Sequence, residues 1–311
     1  MSTAIERPDR GSVHRGTVFD IGYQRYTGGR EGRRRGRLGV FKDAVRTALG
    51  LGRGARAKVL PWTFIAVLAL IALIMAMVAG AARIFGGADA AAELPSHSDY
   101  YGFVSMIVFV FAAVVAPELL CRDRREGVIN LYLVRPLTGS DYIFARWAAF
   151  LLVMTGALWL PQLILWVGLS MGDASPLTYV RDNWLDIPRF LTAGLAFAAY
   201  TTSLALLTAS FTNRRAYASV FLVGLLVITT PFTIGLASEI EGVAGQWVQM
   251  FNLANIPLHV NDVIFGEVNA FSNEFDEPAS TLPIPIVLGW YLAWTLVPAG
   301  ILWLRYRRLT P

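Results

Sequence analysis

The chain has 311 residues, of which 55% are hydrophobic and 16% are charged, and its formal net charge is +5. Soluble domains carry about a quarter charged residues. Whole stretches of about twenty residues here hold almost no charge, which excludes an ordinary soluble domain and indicates an integral membrane protein. The single cysteine, Cys121, excludes an internal disulfide and a cysteine cluster for metal. The histidines lie far apart, and we expect surface residues rather than metal ligands at His14, His97 and His259.

Residues 1–37 form an arm rich in Gly and Arg, with its densest basic run at Arg33–Arg37. A basic run of this kind can bind nucleic acid, but this one lacks a folded scaffold and interleaved stacking aromatics. We therefore expect a cytoplasmic arm that is attracted to anionic lipid headgroups, and no nucleic-acid partner.

Residues 38–58 are predicted to form an amphipathic elbow helix, Leu38–Leu51, followed by a linker. The apolar face carries Leu38, Phe41, Val45, Ala48 and Leu49. The polar face carries Lys42, Asp43, Arg46 and Thr47. This periodicity is typical of a helix that lies in the membrane interface.

Residues 59–311 contain six apolar segments, each close to the ~20 residues that a helix needs to cross the hydrocarbon core. They are Pro61–Ile84, Tyr100–Leu120, Trp147–Leu169, Phe190–Phe211, Ala216–Ser238 and Ile286–Leu304. A proline at the helix start opens the first segment. The predicted fold is therefore an all-α integral membrane protein with six transmembrane helices.

The basic residues predict the orientation of these helices. Of the 27 Lys and Arg residues, 24 fall on the side that holds both chain ends. The positive-inside rule then places both termini in the cytoplasm of a multi-pass plasma-membrane protein. An external segment, residues 239–284, precedes the last span. Within it Val243–Phe251 is apolar but short, which favours a re-entrant or interfacial helix over a span.

The first inner loop, residues 121–142, is the most unusual connection in the chain. Its apolar stretch Val128–Val134 is too short to cross a bilayer, and Arg135-Pro136 ends it because a residue before proline avoids the helical region. A compact apolar helix with charged shoulders, held just under a membrane, is suited to dock into a groove on another protein. We expect this loop to receive force from a separate ATPase.

The sequence lacks the common motifs for nucleotide binding and hydrolysis. It contains no G-x-x-x-x-G-K-[ST], HExxH or G-x-S-x-G pattern, so we expect a non-catalytic chain that binds no cofactor or metal. Arg83 and Arg189 fall at span ends, where their side chains can reach water. Glu118, near the end of the second span, is expected to pair with Arg122 four residues on, with a gating role as the alternative. Energy for uphill transport would then come from another chain.

The whole layout resembles the ABC-2 type transporter permease family, the membrane subunits of ABC exporters. The resemblance rests on the helix before the first span, the six spans and the short segments before the last span. It also rests on the loop sequence Arg125-Glu126-Gly127 followed by Leu131-Tyr132-Leu133-Val134-Arg135-Pro136-Leu137. It covers residues 38–311, and the Gly, Arg, Ala and Val content is similar to that of actinobacterial members.

The resemblance implies a dimer of permeases, identical or related, with two ATP-binding cassette subunits on the cytoplasmic side. ATP and Mg²⁺ would be held by those partner subunits. The loop helix would be the coupling helix, with arginines as polar rim contacts and Leu131 and Tyr132 as apolar anchors. The coupling residues would be Arg122, Arg124, Arg125, Glu126, Gly127, Leu131, Tyr132, Arg135 and Pro136.

Two other classes of function compete with this interpretation. A membrane sensor or scaffold would recruit a cytoplasmic partner through the same loop, since a short apolar helix flanked by arginines suits both. An intramembrane enzyme acting on lipid is the third hypothesis, and no catalytic constellation in the sequence supports it. The substrate of a transporter is left open, because the spans are compatible with lipids, hydrophobic drugs, peptides or glycans.

Overall fold

A computed structural model describes the chain over residues 32–52, 54–85, 96–133, 137–173, 175–240, 242–266 and 282–308. Within these ranges the chain is helical and contains no β-strand. The helices are α1 (Arg33–Ala48), α2 (Ala55–Phe85), α3 (His97–Arg125), α4 (Val128–Leu133), α5 (Gly139–Met171), α6 (Pro176–Asp182), α7 (Asp186–Ser210), α8 (Arg215–Glu239), α9 (Val243–Gln249), α10 (Ile256–Phe265) and α11 (Ile284–Arg307). Most of the basic arm lies outside the described residues.

Six of these helices, α2, α3, α5, α7, α8 and α11, are long and apolar enough to cross a membrane. They contain five of the predicted segments in full and the segment Phe190–Phe211 up to Ser210, so the all-α fold and the six span-length helices are confirmed within the described ranges. Two of them begin at capping boxes. Ser96 and Asp99 cap α3, and Thr138 and Asp141 cap α5 through reciprocal side-chain and backbone hydrogen bonds. The N-cap of α5, Thr138, lies nine residues before Trp147, the predicted start of the span.

Pro61 was predicted to open the first span, and this prediction is wrong. The helix begins at Ala55, so Pro61 lies in its interior. Proline has no N–H, which removes the helical partner of the Ala57 carbonyl. Gly50, with φ +66°, lies directly against that carbonyl, and a Cβ at Gly50 would overlap it. The corner between α1 and α2 is therefore built around this glycine.

A second interior proline connects two helices. Pro117 in α3 leaves the carbonyl of Ala113 without its usual helical donor. The hydroxyl of Ser219, in α8, donates to that carbonyl at 2.6 Å. A backbone acceptor freed inside one apolar helix is thus used by the neighbouring helix, as a buried polar group requires.

Helix α7 is at the centre of the bundle, where it contacts α3, α5, α8, α10 and α11. In the most apolar stretch of α7, 67% is buried inside the bundle, whereas the corresponding shares for α8 and α11 are only 17% and 22%. Helix α3 lies between α2 and α8 and contacts both. The outer helices α8 and α11 therefore present most of their apolar surface outward.

Small residues allow α2 and α5 to approach closely. A Cβ on Gly168 of α5 would overlap the Cβ of Ala76 in α2, and a Cβ on Gly172 would lie 3.3 Å from the Cα of Gly80. Close approach through small residues is the usual way in which apolar helices associate when there is no water to exclude.

Helix α1 packs along α5 and also contacts α3. Its buried residues are Val40, Ala44 and Ala48. This inward stripe shares only Ala48 with the predicted apolar face: Leu38 is 45% exposed, while Phe41, Val45 and Leu49 are half-buried. The inward stripe is shifted because its small side chains allow close contact. Lys42 and Arg46 are exposed, as predicted.

The segment before the last span contains two short helices, α9 and α10. Helix α9 coincides with the predicted short helix, and α10 was not predicted separately. Gly266, with φ +74°, ends α10. The remainder of the predicted external segment, residues 267–281, lies outside the described residues.

Candidate functional site at the basic end of the bundle

At one end of the bundle lie α1, α4, the α7–α8 connection and the last turn of α11. We call this end the basic end. Three contacts define it. The Arg124 side chain donates to the carbonyl of Ser210, the Arg305 guanidinium lies 5.0 Å from the Phe211 ring centroid, and the Arg33 Nε lies 2.6 Å from an Asp141 carboxylate oxygen. Segments far apart in the sequence therefore meet around the predicted coupling loop.

The first part of that loop is helical. Helix α3 continues through Arg125, so three of the four predicted coupling arginines lie on its last turn. Gly127, with φ +67°, then turns the chain into α4. Arg122 pairs with Glu126 at 3.2 Å, and both side chains are about 40% exposed. Arg125 is exposed as well. Arg135 and Pro136 lie outside the described residues.

Helix α4 rests on the bundle by one face. Ile129 and Tyr132 are half-buried and pack against the core, and the Tyr132 ring centroid lies 5.7 Å from that of Tyr142. Burial raises the pKa of the Tyr132 hydroxyl. The residue predicted as a partner anchor therefore contacts its own chain. By the helical period, the backbone of Leu131 lies on the other side of the helix axis from Ile129.

A buried charge network lies beneath α4 and joins three helices. Arg146 of α5 is 1% exposed; its Nη2 lies 2.6 Å from Asp123 Oδ2 of α3 and 3.0 Å from Asp43 Oδ2 of α1. The Tyr142 hydroxyl donates to the same Asp123 oxygen at 2.8 Å. Burial of this kind requires paired charges, and the network satisfies that requirement. Sequence reasoning missed it, because Asp43 was assigned to a polar outer face and Arg146 only counted as a loop charge.

Aromatic rings extend this network to the last helix. Tyr142 stacks on Tyr306 of α11, with ring centroids 5.8 Å apart and an interplanar angle of 26°. Tyr132, Tyr142 and Tyr306 therefore form a continuous column from α4 to α11. The Tyr306 hydroxyl is buried and has no hydrogen-bond partner within the described part of the chain.

The predicted pairing of Glu118 with Arg122 is wrong. Glu118 forms an ion pair with Arg215, the first residue of α8, and Arg122 pairs with Glu126 instead. Helix α8 packs against α3, which brings Arg215 to a carboxylate 97 residues earlier in the sequence. Spacing within one helix could not indicate this partner.

The opposite end of the bundle holds His97 and His259, the two histidines that the structure describes. His97 is 4% exposed, and its Nδ1 lies 2.6 Å from the Gln162 side-chain oxygen, so the prediction of a surface residue is wrong there. His259 of α10 is half-buried, and burial lowers its pKa to about 4. His14 lies outside the described residues. Over the described ranges, no three His, Cys, Asp or Glu residues group as a metal site would require.

Comparison of the sequence with models of known protein families gives no match, and comparison with curated proteins gives none either. The fold itself defines the class: a helical, multi-pass type of membrane protein with six helices of span length and composition. The resemblance to ABC-2 permeases stays a prediction.

Proposed function

We propose that this chain is the permease subunit of an ABC-2 type exporter in the plasma membrane. It moves a substrate across the bilayer with energy from ATP, which a separate ATP-binding cassette subunit hydrolyses with Mg²⁺. The observation that supports this function most is α4, a six-residue helix that follows a long apolar helix, precedes another, and rests on a buried charge network.

In this proposal α4 is the coupling helix, and its contacts give the path of the motion. Helix α4 follows α3 through the single turn at Gly127. It contacts α5 through Tyr132 and Tyr142, and Tyr142 contacts Tyr306 of α11. A displacement of α4 by the ATPase would therefore reach three long helices. Arg125 and Glu126 are exposed at the start of α4 and are available to the partner.

The proposed sidedness follows from charge. The basic end contains α1, the last turn of α3 and the last turn of α11, which supply most of the arginines in the described ranges. The positive-inside rule assigns such an end to the cytoplasm, where an ATPase can reach α4. The outward apolar surfaces of α8 and α11 are available to lipid and to a second permease copy.

Sidedness can be tested with one introduced thiol. The chain has a single cysteine, Cys121, which is buried, so a Cys121→Ser background removes the native thiol. Arg125→Cys in that background should react with a membrane-impermeant maleimide in inverted vesicles and not in right-side-out vesicles. The matched control is Arg181→Cys, on exposed α6 at the opposite end, which should show the reverse. Labelling of Arg125→Cys from outside would refute the proposal.

The partner can be tested by co-purification. The intact chain, isolated from its native membrane, should carry a subunit whose ATP hydrolysis responds to reconstitution in lipid. Arg125→Glu should weaken that association, because it reverses a rim charge at α4, while Arg181→Glu should leave it unchanged. A co-purified signalling protein without ATPase activity would favour the sensor or scaffold function instead.

A further inference from the structure

A polar cavity of about 580 Å³ opens at the basic end, between α1, the end of α3 and the start of α8. Three helices each contribute an arginine to its wall: Arg46 from α1, Arg122 from the end of α3 and Arg215 from the start of α8. Thr47 adds a hydroxyl. Arginines that converge from three directions are suited to bind a tetrahedral oxyanion, since each guanidinium presents several N–H donors in a plane.

The lining of the cavity carries three arginines and two acids, and one of these arginines lacks an acidic partner among the described residues. Its two acids are already engaged: Asp43 lies 3.0 Å from buried Arg146, and Glu126 lies 3.2 Å from Arg122. Arg215 is held by Glu118. Arg46 is exposed, and its guanidinium forms no hydrogen bond or ion pair with the described residues. An oxyanion would supply the acceptor that this guanidinium lacks.

One donor in the wall also lacks an acceptor. The Arg215 Nε is buried, and no acceptor for it exists among the described residues. A buried N–H without an acceptor is unfavourable, so an oxyanion bound beside it would be stabilised by this group as well as by Arg46.

The depth of the cavity indicates the kind of oxyanion. Arg215 is the first residue of span-length α8, and Arg122 lies in the last turn of span-length α3, so the cavity lies at the level of lipid headgroups. Immediately beyond Arg215, α8 exposes large apolar side chains at Tyr217, Val220 and Phe221. A molecule with a phosphate in the cavity and acyl chains along α8 would satisfy both surfaces.

We infer that this cavity binds the phosphodiester headgroup of an anionic phospholipid. The phosphate would lie between Arg46 and Arg215, and the lipid would link α1, α3 and α8 at the basic end. This inference requires only that the long helices cross a membrane, and it stands or falls independently of the transporter function.

The test is native mass spectrometry of the full-length, delipidated protein in detergent, titrated with dioleoyl phosphatidylglycerol. Both lipids carry the phosphodiester, but the choline cation of phosphatidylcholine would lie among the three arginines of the wall and be repelled. Phosphatidylglycerol should therefore bind about tenfold more tightly than phosphatidylcholine. Arg46→Gln should raise the Kd for phosphatidylglycerol about tenfold, and Arg46→Lys should raise it less. Arg181→Gln, at the opposite end, should leave it unchanged.

Each arm of the experiment can overturn the inference. Equal affinity for the two lipids, or an Arg46→Gln variant that binds phosphatidylglycerol as the native chain does, would show that this cavity does not select an anionic headgroup. Displacement of the lipid by equimolar inorganic phosphate would assign the site to a soluble anion. Since Arg46 is exposed, unfolding of Arg46→Gln is not expected, and its circular dichroism should match that of the native chain.

Discussion

Replacing Arg146 with Gln tests whether the buried charge network holds α1, α3 and α5 together. The native guanidinium is 1% exposed, and Asp123, its nearer partner, has a side chain that is 12% exposed. Removing the cation leaves that carboxylate buried without its main counter-charge, a change that typically costs about 3–5 kcal/mol. Asp43 is 53% exposed and can be solvated. We therefore expect a loss of about 3 kcal/mol, the lower end of that range.

A matched control lies beside Asp123, in the last turn of α3. The Arg122–Glu126 pair is also an arginine–carboxylate contact at the basic end, but its side chains are 39% and 41% exposed. Exposed pairs contribute about 0–1 kcal/mol, so Arg122→Gln should change stability little. Reversible unfolding in mixed micelles with increasing dodecyl sulfate, followed by tryptophan fluorescence, should separate the two variants by roughly a factor of thirty or more in the unfolding constant.

If Arg146→Gln costs no more than Arg122→Gln, burial of the network does not contribute to stability and the reasoning is wrong. A double variant extends the test. Arg146→Met combined with Asp123→Leu replaces the ion pair with apolar groups, which is often neutral or stabilising where a single removal is not. We expect the double variant to recover most of the stability that Arg146→Gln loses, with a remainder for the Tyr142 hydroxyl, which loses its acceptor.

Three further changes probe packing, hydrogen bonding and protonation. Gly168→Ala should destabilise the bundle by about 1–3 kcal/mol because its Cβ overlaps α2, whereas Gly156→Ala, with open space around it, should not; equal unfolding midpoints would contradict the predicted close contact. Tyr142→Phe should cost about 1–3 kcal/mol, because it removes one of the two donors to the buried Asp123 carboxylate, whereas Tyr306→Phe should be nearly neutral in the same unfolding assay. His259 has a folded-state pKa of about 4, below its unfolded value of about 6.5. Its contribution to the free energy of unfolding is therefore present above pH 6.5 and is lost as pH falls toward 4. A His259→Gln variant with the same pH dependence of unfolding as the native chain would contradict that assignment.

The long helices could be predicted from the sequence because their signal is local. An apolar run of about twenty residues has one favourable environment, whatever its neighbours are. Segments such as Phe190–Phe211 therefore needed no knowledge of packing. Helix ends were less predictable. The cap at Thr138 depends on a hydrogen-bond geometry that hydropathy does not contain, and Pro61 carries a start signal that the fold uses inside a helix.

The contacts of the candidate site were not predictable, because each joins residues that are distant in sequence. Asp43 and Arg146 are 103 positions apart in the chain, and their pairing depends on how α1 packs along α5. Glu118 has a suitable partner four residues away, yet it pairs with Arg215 because α8 lies beside it. Tyr132 has the character of a partner anchor, but it packs against Tyr142 of its own chain. These contacts depend on tertiary packing rather than on the local sequence pattern.

The carboxylate of Asp141 belongs to two structures at once. It closes the first turn of α5 through the backbone of Thr138, and it accepts from Arg33 and Arg37 of α1 at 2.6 Å and 2.9 Å. The capping hydrogen bonds hold the acceptor in place, whereas both arginines are about half exposed and have long, adaptable side chains. The start of α1 is therefore attached to α5 through flexible side chains, which allow small rotations about Asp141. Its small buried residues keep the register of α1 against α5.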